Sequence, residues 1–203
     1  MESGDMSMSV SADLTVRLRP VAEPDLAMFR RFRTEPGLIG LDWAGFSDAG
    51  APARRFAVDG YLGEDDGRLV VKVEQEQEQE QEQEQEQEQA AAGIVSYTAR
   101  RYAGRASYWD IGIVLLPQWR GRGIGWRAQA LLCDYLFHHT PAQRIQAGTH
   151  PENVAEQRAL EKAGFQLEGV VRASEFRAGQ WRDGYLYSRL RDDPSPWDQT
   201  PQV

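Results

Sequence analysis

Gln118-Trp119-Arg120-Gly121-Arg122-Gly123-Ile124-Gly125 stands between a β-rich run and an amphipathic helical pattern. Three glycines within five residues leave main-chain N–H groups uncovered by side chains, and the helix that follows adds its positive end and its unpaired amides. That combination makes a cradle for a pyrophosphate, with Arg120, Arg122 and Arg127 at hand for further phosphates. It matches neither common nucleotide motif: GxxxxGK[ST] is absent, and Gly121-x-Gly123-x-Gly125 has the wrong period for GxGxxG. Read alone, the octet fits equally well a glycine-rich turn whose arginines are simply solvated.

Upstream, Ser107–Leu116 reads as a strand closed by Pro117. Downstream, Gly123–His138 reads as a helix, with Ile124, Ala128, Leu131, Leu132, Tyr135 and Leu136 on one face. Arg144–Gly148 is then a short strand, and Asn153–Ala163 a helix ended by Gly164. Phe165–Val171 and Tyr185–Leu190 read as the last strands. Toward the N-terminus, Leu14–Arg19 alternates as a half-buried strand that stops at Pro20. Glu23-Pro24-Asp25 starts a helix running from Leu26 to Arg33 and stopping near Pro36-Gly37. A weaker helix is expected over Ala51–Gly60, then strands over Arg68–Val73 and Gly93–Ala99. The order β-α-α-β-β-β-α-β-α-β-β predicts one mixed α/β domain over residues 13–192. Residues 1–12 and 193–203 read as flexible ends.

The formal net charge of −8 comes from one place. Residues Glu74–Gln89 alternate Glu and Gln, with eight glutamates; without them 23 acids stand against 23 bases. This balance argues against a polybasic nucleic-acid binder. Period-two alternation would put all the Glu on one face of a projecting ribbon, whereas a helix would set Glu against Glu at i+4. With nothing apolar to bury, the default is a mobile loop in a hairpin connection, apart from the Gly-rich loop and of little consequence for it. A single cysteine, Cys133, excludes an internal disulfide, and three histidines (His138, His139, His150) lack a ligand spacing, so no metal is expected. No apolar run reaches about 20 residues and the N-terminus lacks a signal-like pattern, so a cytoplasmic protein without membrane or nucleic-acid partners is expected.

The octet resembles the Q/R-x-x-G-x-G/A motif of the GNAT (GCN5-related) N-acetyltransferases, and Asn153 through Phe165 resembles that family's N-x-x-…-E-K-x-G-F helix. Leu167-Glu168-Gly169, Gly179–Asp183 and Tyr187–Leu190 are similar to its RimJ/RimL-like branch. The resemblance covers roughly Leu14–Arg191 and is thin before Arg68. It implies a central mixed sheet, splayed at the coenzyme site and flanked by helices, that binds acetyl-CoA as co-substrate. Backbone groups of Ile113, Val114 and Leu115 would pair with pantetheine and the acetyl carbonyl. Arg120, Gly121, Arg122, Gly123, Ile124, Gly125 and Trp126 would surround the pyrophosphate. Asn153 would hydrogen-bond the pantetheine arm, or serve only as an N-cap. Arg158 would face the nucleotide.

The implied activity is acetyl transfer to a primary amine, either a peptide N-terminus or a small amine metabolite such as an antibiotic or its precursor. The alternative is a catalytically inactive acyl-CoA-binding module. By the same resemblance Glu168 is the candidate base, provided burial or a water relay raises its basicity; otherwise it is an ordinary strand-end carboxylate. The helical Tyr that protonates the thiolate in many GNATs is replaced by Leu160. The RimL-like Ser is replaced by Glu156, which is either the acid or a solvent-facing residue beside a protonating water. Tyr97, Asp110, Tyr187, Asp42 and Trp43 are candidates to line the acceptor cleft. Cys133 reads as a small buried residue, and the assembly as monomer or homodimer.

Overall fold

A computed structural model describes residues 14–43, 45–75, 91–101 and 107–198, and the side chains of all of these except Asp42 and Gln75. The strands are β1 (Leu14–Pro20), β2 (Asp66–Gln75), β3 (Ala91–Arg101), β4 (Ser107–Leu115), β5 (Arg144–Thr149), β6 (Gln166–Arg177) and β7 (Gln180–Leu190). The helices are α1 (Leu26–Thr34), α2 (Pro36–Ile39), α3 (Ala51–Asp59), α4 (Ile124–His139) and α5 (Val154–Lys162). All seven strands form one sheet in the order β1-β2-β3-β4-β5-β7-β6. Only the β4–β5 pair is parallel, as the intervening crossover through α4 requires.

Alternation along the strands divides the core in two. Val71, Val95, Ile111, Ile145, Ala147 and Tyr187 point to one face, where Ile124, Leu132 and Leu136 of α4 and Leu160 of α5 cover them. Val70 and Ile94 point to the other face, beneath Met28, Phe29 and Phe32 of α1, Leu38 of α2 and Tyr61. The connection from β1 to α1 is pinned by Arg19, which donates to both oxygens of Asp25 at 2.6 and 2.8 Å.

Three expectations change. Pro36 begins a further short helix rather than closing the region, because a proline lacking an N–H is at home in a first turn. In α4, Tyr135 is exposed and Leu131 only half-buried, while Gln129, Ala130, Cys133 and Phe137 are buried. The helix rests on the sheet along one side and meets α5 and Arg189 on others, so its buried arc is wider than a single stripe. The last two strands are also longer than their apolar runs: they form one hairpin turning at Ala178-Gly179, with register shifts at Leu167/Gly169 and Val171/Glu175 that interrupt the alternation.

Glu74 and Gln75 belong to β2, paired with Thr15 and Leu14; Glu74 lies 3.2 Å from Arg17 and 2.5 Å from Lys72. The rest of the Glu-Gln tract, like residues 1–12, lies outside the described residues. Its downstream anchor is not apart from the Gly-rich loop: Leu116 N–H donates to the Ala92 carbonyl at 2.9 Å, at the end of the sheet where β4 enters that loop. In the expected C-terminal tail, Trp197 stacks on Trp126 at 5.3 Å and its Nε1 donates to Asp134 at 2.7 Å. Among the described residues no helix is long and apolar enough to cross a membrane.

Candidate active site

Strands β4 and β5 run parallel only from Trp109/Ile145 to Ile111/Ala147. Beyond that point they part, so among the described residues the β5-side edge of Ile113, Val114 and Leu115 has no strand partner. The position after the last pair is Gly112 on β4 and Gly148 on β5. A Cβ on Gly112 would meet only Ser96 Oγ, at 3.2 Å, and one on Gly148 only the Tyr185 carbonyl, at 3.9 Å. The apex of the gap is therefore bare on the face that carries α1, and a small group can pass there from one side of the sheet to the other.

β4 leaves the sheet through the 3₁₀ turn Pro117–Trp119 into the Gly-rich loop. Gly121 and Gly123 adopt left-handed backbone (φ 74° and 73°), and Gly123 caps α4. The first four amides of α4 have no intrahelical acceptor and point into this loop. At Gly123 it is the left-handed backbone that disfavours a side chain, with Arg127 at 3.1 Å and Trp126 at 3.4 Å lining the position where a Cβ would stand. The guanidinium of Arg122 lies 5.4 Å from the Trp119 ring and that of Arg127 5.1 Å from Trp126. Arg120 departs from its expected place: it donates through Nε to the Leu115 carbonyl at 2.9 Å and through the other arm to the Leu38 carbonyl. It ties the loop to β4 and α2 because carbonyls lie within its reach, and its charge is not directed at the phosphate cradle.

Across the gap, Asn153 accepts from Glu156 N–H through Oδ1 at 3.3 Å, as an N-cap, which leaves its amide N–H₂ for a ligand. Arg158 is exposed on α5. Leu160, at the position of the family's tyrosine, is fully buried in the core. Glu156 is half-buried near the start of the same helix.

Glu168 does not meet the condition set for a base. Arg144 donates to both its oxygens at 2.5 Å and Ser188 Oγ to one at 2.6 Å. These hydrogen bonds, Arg144 foremost, hold its carboxyl down to about 2. That moves it away from the basicity needed to take a proton from an α-ammonium of pKa about 8. Asp110 is different. It lies on the α1 face beside Gly112, with Arg100 diagonally across on β3 at 3.9 Å. Desolvation pushes its carboxyl above the usual range, against the pull of Arg100.

Of the other cleft candidates, Tyr97 and Tyr187 are buried in the core on the α4 face. Trp43 is half-buried and packs edge-on against Phe46 at 5.4 Å; the Asp42 side chain lies outside the described residues. Cys133 is fully buried, and desolvation pushes its thiol up to about 12, which suits a core residue and not a nucleophile. The alternation of β4 was the signal for Asp110, because it sets this acid opposite Ile111 and on the same side as Gly112. Among the described residues no cluster of three or more His, Cys, Asp or Glu is placed to hold a metal ion.

The family model for the acetyltransferase (GNAT) domain matches residues 15–166. The chain belongs to the GNAT family. Among its curated relatives, the probable N-acetyltransferase YjcK of Bacillus subtilis is 40% identical over 83 residues, 41% of this chain and 46% of that protein. The [ribosomal protein uS5]-alanine N-acetyltransferase of Escherichia coli is 28% identical over 86 residues, 42% of this chain and 44% of that protein. The chain thus matches about half the length of these relatives. The spermidine N-acetyltransferase of Vibrio cholerae, solved in complex with CoA and spermine, superposes with a TM-score of 0.70 at 18% identity, over 88% of this chain and 96% of that one. That likeness is one of fold, and the GNAT fold is the seven-stranded splayed sheet described above.

Proposed function

We propose that this GNAT domain is an N-acetyltransferase, of the RimJ/RimL-like branch, that moves an acetyl group from acetyl-CoA to a primary amine. The observation that carries this reading is the parting of β4 from β5 over two facing glycines, with the Gly-rich loop at one end and Asp110 beside the apex. The edge of Ile113–Leu115 is suited to hydrogen-bond the pantetheine chain as a missing strand would, and one of its N–H groups to polarise the thioester carbonyl. Amides from Arg122 to Trp126, with Arg122 and Arg127, are suited to the pyrophosphate. The branch assignment is supported by the Leu167-Glu168-Gly169 resemblance and by the uS5-alanine relative.

The amine approaches from the α1 face. Asp110 takes the ammonium proton directly or through one water, because its carboxyl is the one raised toward the amine's pKa. The neutral nitrogen attacks the acetyl carbonyl, the C–S bond breaks, and an amide and free CoA thiol result. Leu160 carries no proton, so water protonates the departing thiolate, with Glu156 at the helix start as the side-chain alternative. Glu168 braces Arg144 and Ser188 across β5, β7 and β6. The acceptor is a peptide N-terminus or a small amine.

Free-thiol release from acetyl-CoA across an amine panel, with mass spectrometry of the acetylated product, tests the reading. Tight acetyl-CoA binding without thiol release from any amine would replace it with an inactive acyl-CoA-binding module.

A further inference from the structure

Among the described residues, Arg68 is a part-buried cation on the α1 face with no anionic partner. It sits on β2 opposite Ser96, which in turn pairs with Gly112 on β4, so it shares the face and the strand row of the gap's apex. Its guanidinium lies 5.4 Å from the Tyr61 ring and 5.9 Å from the Phe29 ring. Its backbone N–H is held by the Tyr61 carbonyl at 2.9 Å, which fixes that frame.

Its cationic neighbours already have polar partners. Arg55 is paired with Asp59 and Asp66 at 2.8 and 3.0 Å, Arg54 with Asp48, and Arg33 donates to Ser47 Oγ at 3.1 Å. Among the described residues Arg68 has neither a salt bridge nor a side-chain hydrogen bond; two aromatic faces and a partly buried site hold it instead. Burial pushes its guanidinium below the usual range, and Arg33 and Arg55 act in the same direction. A partly buried guanidinium with unused donors is well placed to gain from a ligand that supplies an anion.

We propose that Arg68 binds a carboxylate carried by the amine acceptor, so that the acceptor is an amino-carboxylate of amino-acid or dipeptide size. This rests on the reading of the α1 face as the acceptor side. Two strand spacings across and two residues along separate the Arg68 and Asp110 Cα atoms by about 12 Å. Both side chains rise from the same face of the sheet, so a molecule of about that span can set its amine at Asp110 and its carboxylate at Arg68. The five-donor fork matches a carboxylate in bidentate fashion. A polyamine would bring cationic ends to this site and is disfavoured by it.

The test compares amines that differ only in the carboxylate: an amino acid or dipeptide against its C-terminal amide, with spermidine as the polycation. Thiol release gives kcat and KM for wild type, Arg68→Met and Arg68→Lys; acetyl-CoA affinity measured by calorimetry checks each fold. The expected result is a preference for the carboxylate of roughly ten- to hundredfold in kcat/KM, the scale of a charged hydrogen-bonded pair. That preference resides in KM, collapses in Arg68→Met and is partly kept in Arg68→Lys. Equal use of acid and amide, preference for spermidine, or a ratio unchanged in Arg68→Met would overturn the proposal.

Should no amine release thiol, the transferase reading fails but Arg68 is still tested. Calorimetry of an N-acetyl amino acid against its amide, on CoA-loaded protein, should show carboxylate-dependent binding lost in Arg68→Met. Binding that is equal for both compounds, absent for both, or indifferent to the substitution refutes the site.

Discussion

Gly112→Ala is the most direct perturbation of the acceptor route. The added methyl meets only Ser96 Oγ, at 3.2 Å, and a hydroxyl on a rotatable bond yields by a few tenths of an ångström. The backbone of Gly112 is not left-handed, so alanine also recovers about 0.4–1 kcal/mol of unfolded-state entropy. Net stability is therefore expected to change by less than about 1 kcal/mol. Gly93→Ala, one strand away, is the contrast: its Cβ would stand 2.1 Å from the Val114 carbonyl oxygen and 2.8 Å from Leu115 Cα, both backbone, so the sheet must shift. Overpacking of that kind costs about 1–3 kcal/mol or more. The methyl at position 112 instead occupies the bare apex, where the amine must approach the thioester. A displacement of about 1 Å costs on the order of a hundredfold in rate. Urea denaturation, acetyl-CoA calorimetry and thiol-release kinetics on Gly112→Ala, Gly148→Ala and Gly93→Ala separate these effects. The expected pattern for Gly112→Ala is intact stability, intact coenzyme affinity and a kcat/KM for the acceptor lower by roughly a hundredfold. An unchanged kcat/KM would show that the amine does not pass between the two glycines; a loss of several kcal/mol would show that the apex is not open.

The remaining predictions concern charge. Asp110→Asn should lower turnover by roughly 10²–10⁴-fold while acetyl-CoA affinity holds. The wild-type rate should fall as pH drops through the raised Asp110 pKa, and that acidic limb should vanish in the variant but persist in Glu168→Gln. If the limb is instead lost only in Glu168→Gln, the assignment of the base is reversed. Glu168 has a folded pKa of about 2 against an ordinary 4.5, so its pairing contributes stability fully above the ordinary value and loses it as pH falls toward the folded one. Acid titration of stability should therefore slope downward between those two values in wild type and be flatter in Glu168→Gln; parallel curves would refute the pairing. Deleting residues 76–89 removes seven glutamates from the connection that leads into β3, whose Ala92 carbonyl accepts from Leu116 N–H just before the Gly-rich loop. CoA binding should tighten a few-fold at low salt and return to the wild-type value near 1 M, where the Debye length is about 3 Å. A salt-independent change would point to a structural effect.

Much of the fold was written in local pattern. The strand before Pro117, the Gly-rich turn, the α4 helix, the Asn153 cap and the final hairpin all announce themselves through glycine, proline and apolar spacing, which act within a few residues. Pro36 was ambiguous because the same ring ends one helix and begins the next. The buried arc of α4 was misread because a moment along one helix does not reveal how many neighbours it has. Tyr135, by spacing a core residue, is exposed, while Gln129 is fully buried.

The candidate site divides in the same way. The Gly-rich turn is a property of one contiguous segment, so its residue types alone carried its backbone conformation. The acid–base assignment is not. Glu168 and Arg144 are 24 residues apart, and only the β5-β7-β6 order brings them to 2.5 Å and turns a candidate base into a braced carboxylate. Arg120 is likewise drawn off to Leu38, 82 residues away. Arg68 stood in the sequence as one arginine among many, and its lack of an anion became visible only once Asp59 and Asp66 were seen paired to Arg55. Sequence by itself determined most of the elements and the Gly-rich turn, because backbone conformation and amide exposure are set by neighbours in the chain. Tertiary structure alone decided which carboxylate is raised and which is held low, and which arginine lacks an anion among the described residues, because a charge's pKa and partners depend on what the fold brings within a few ångströms.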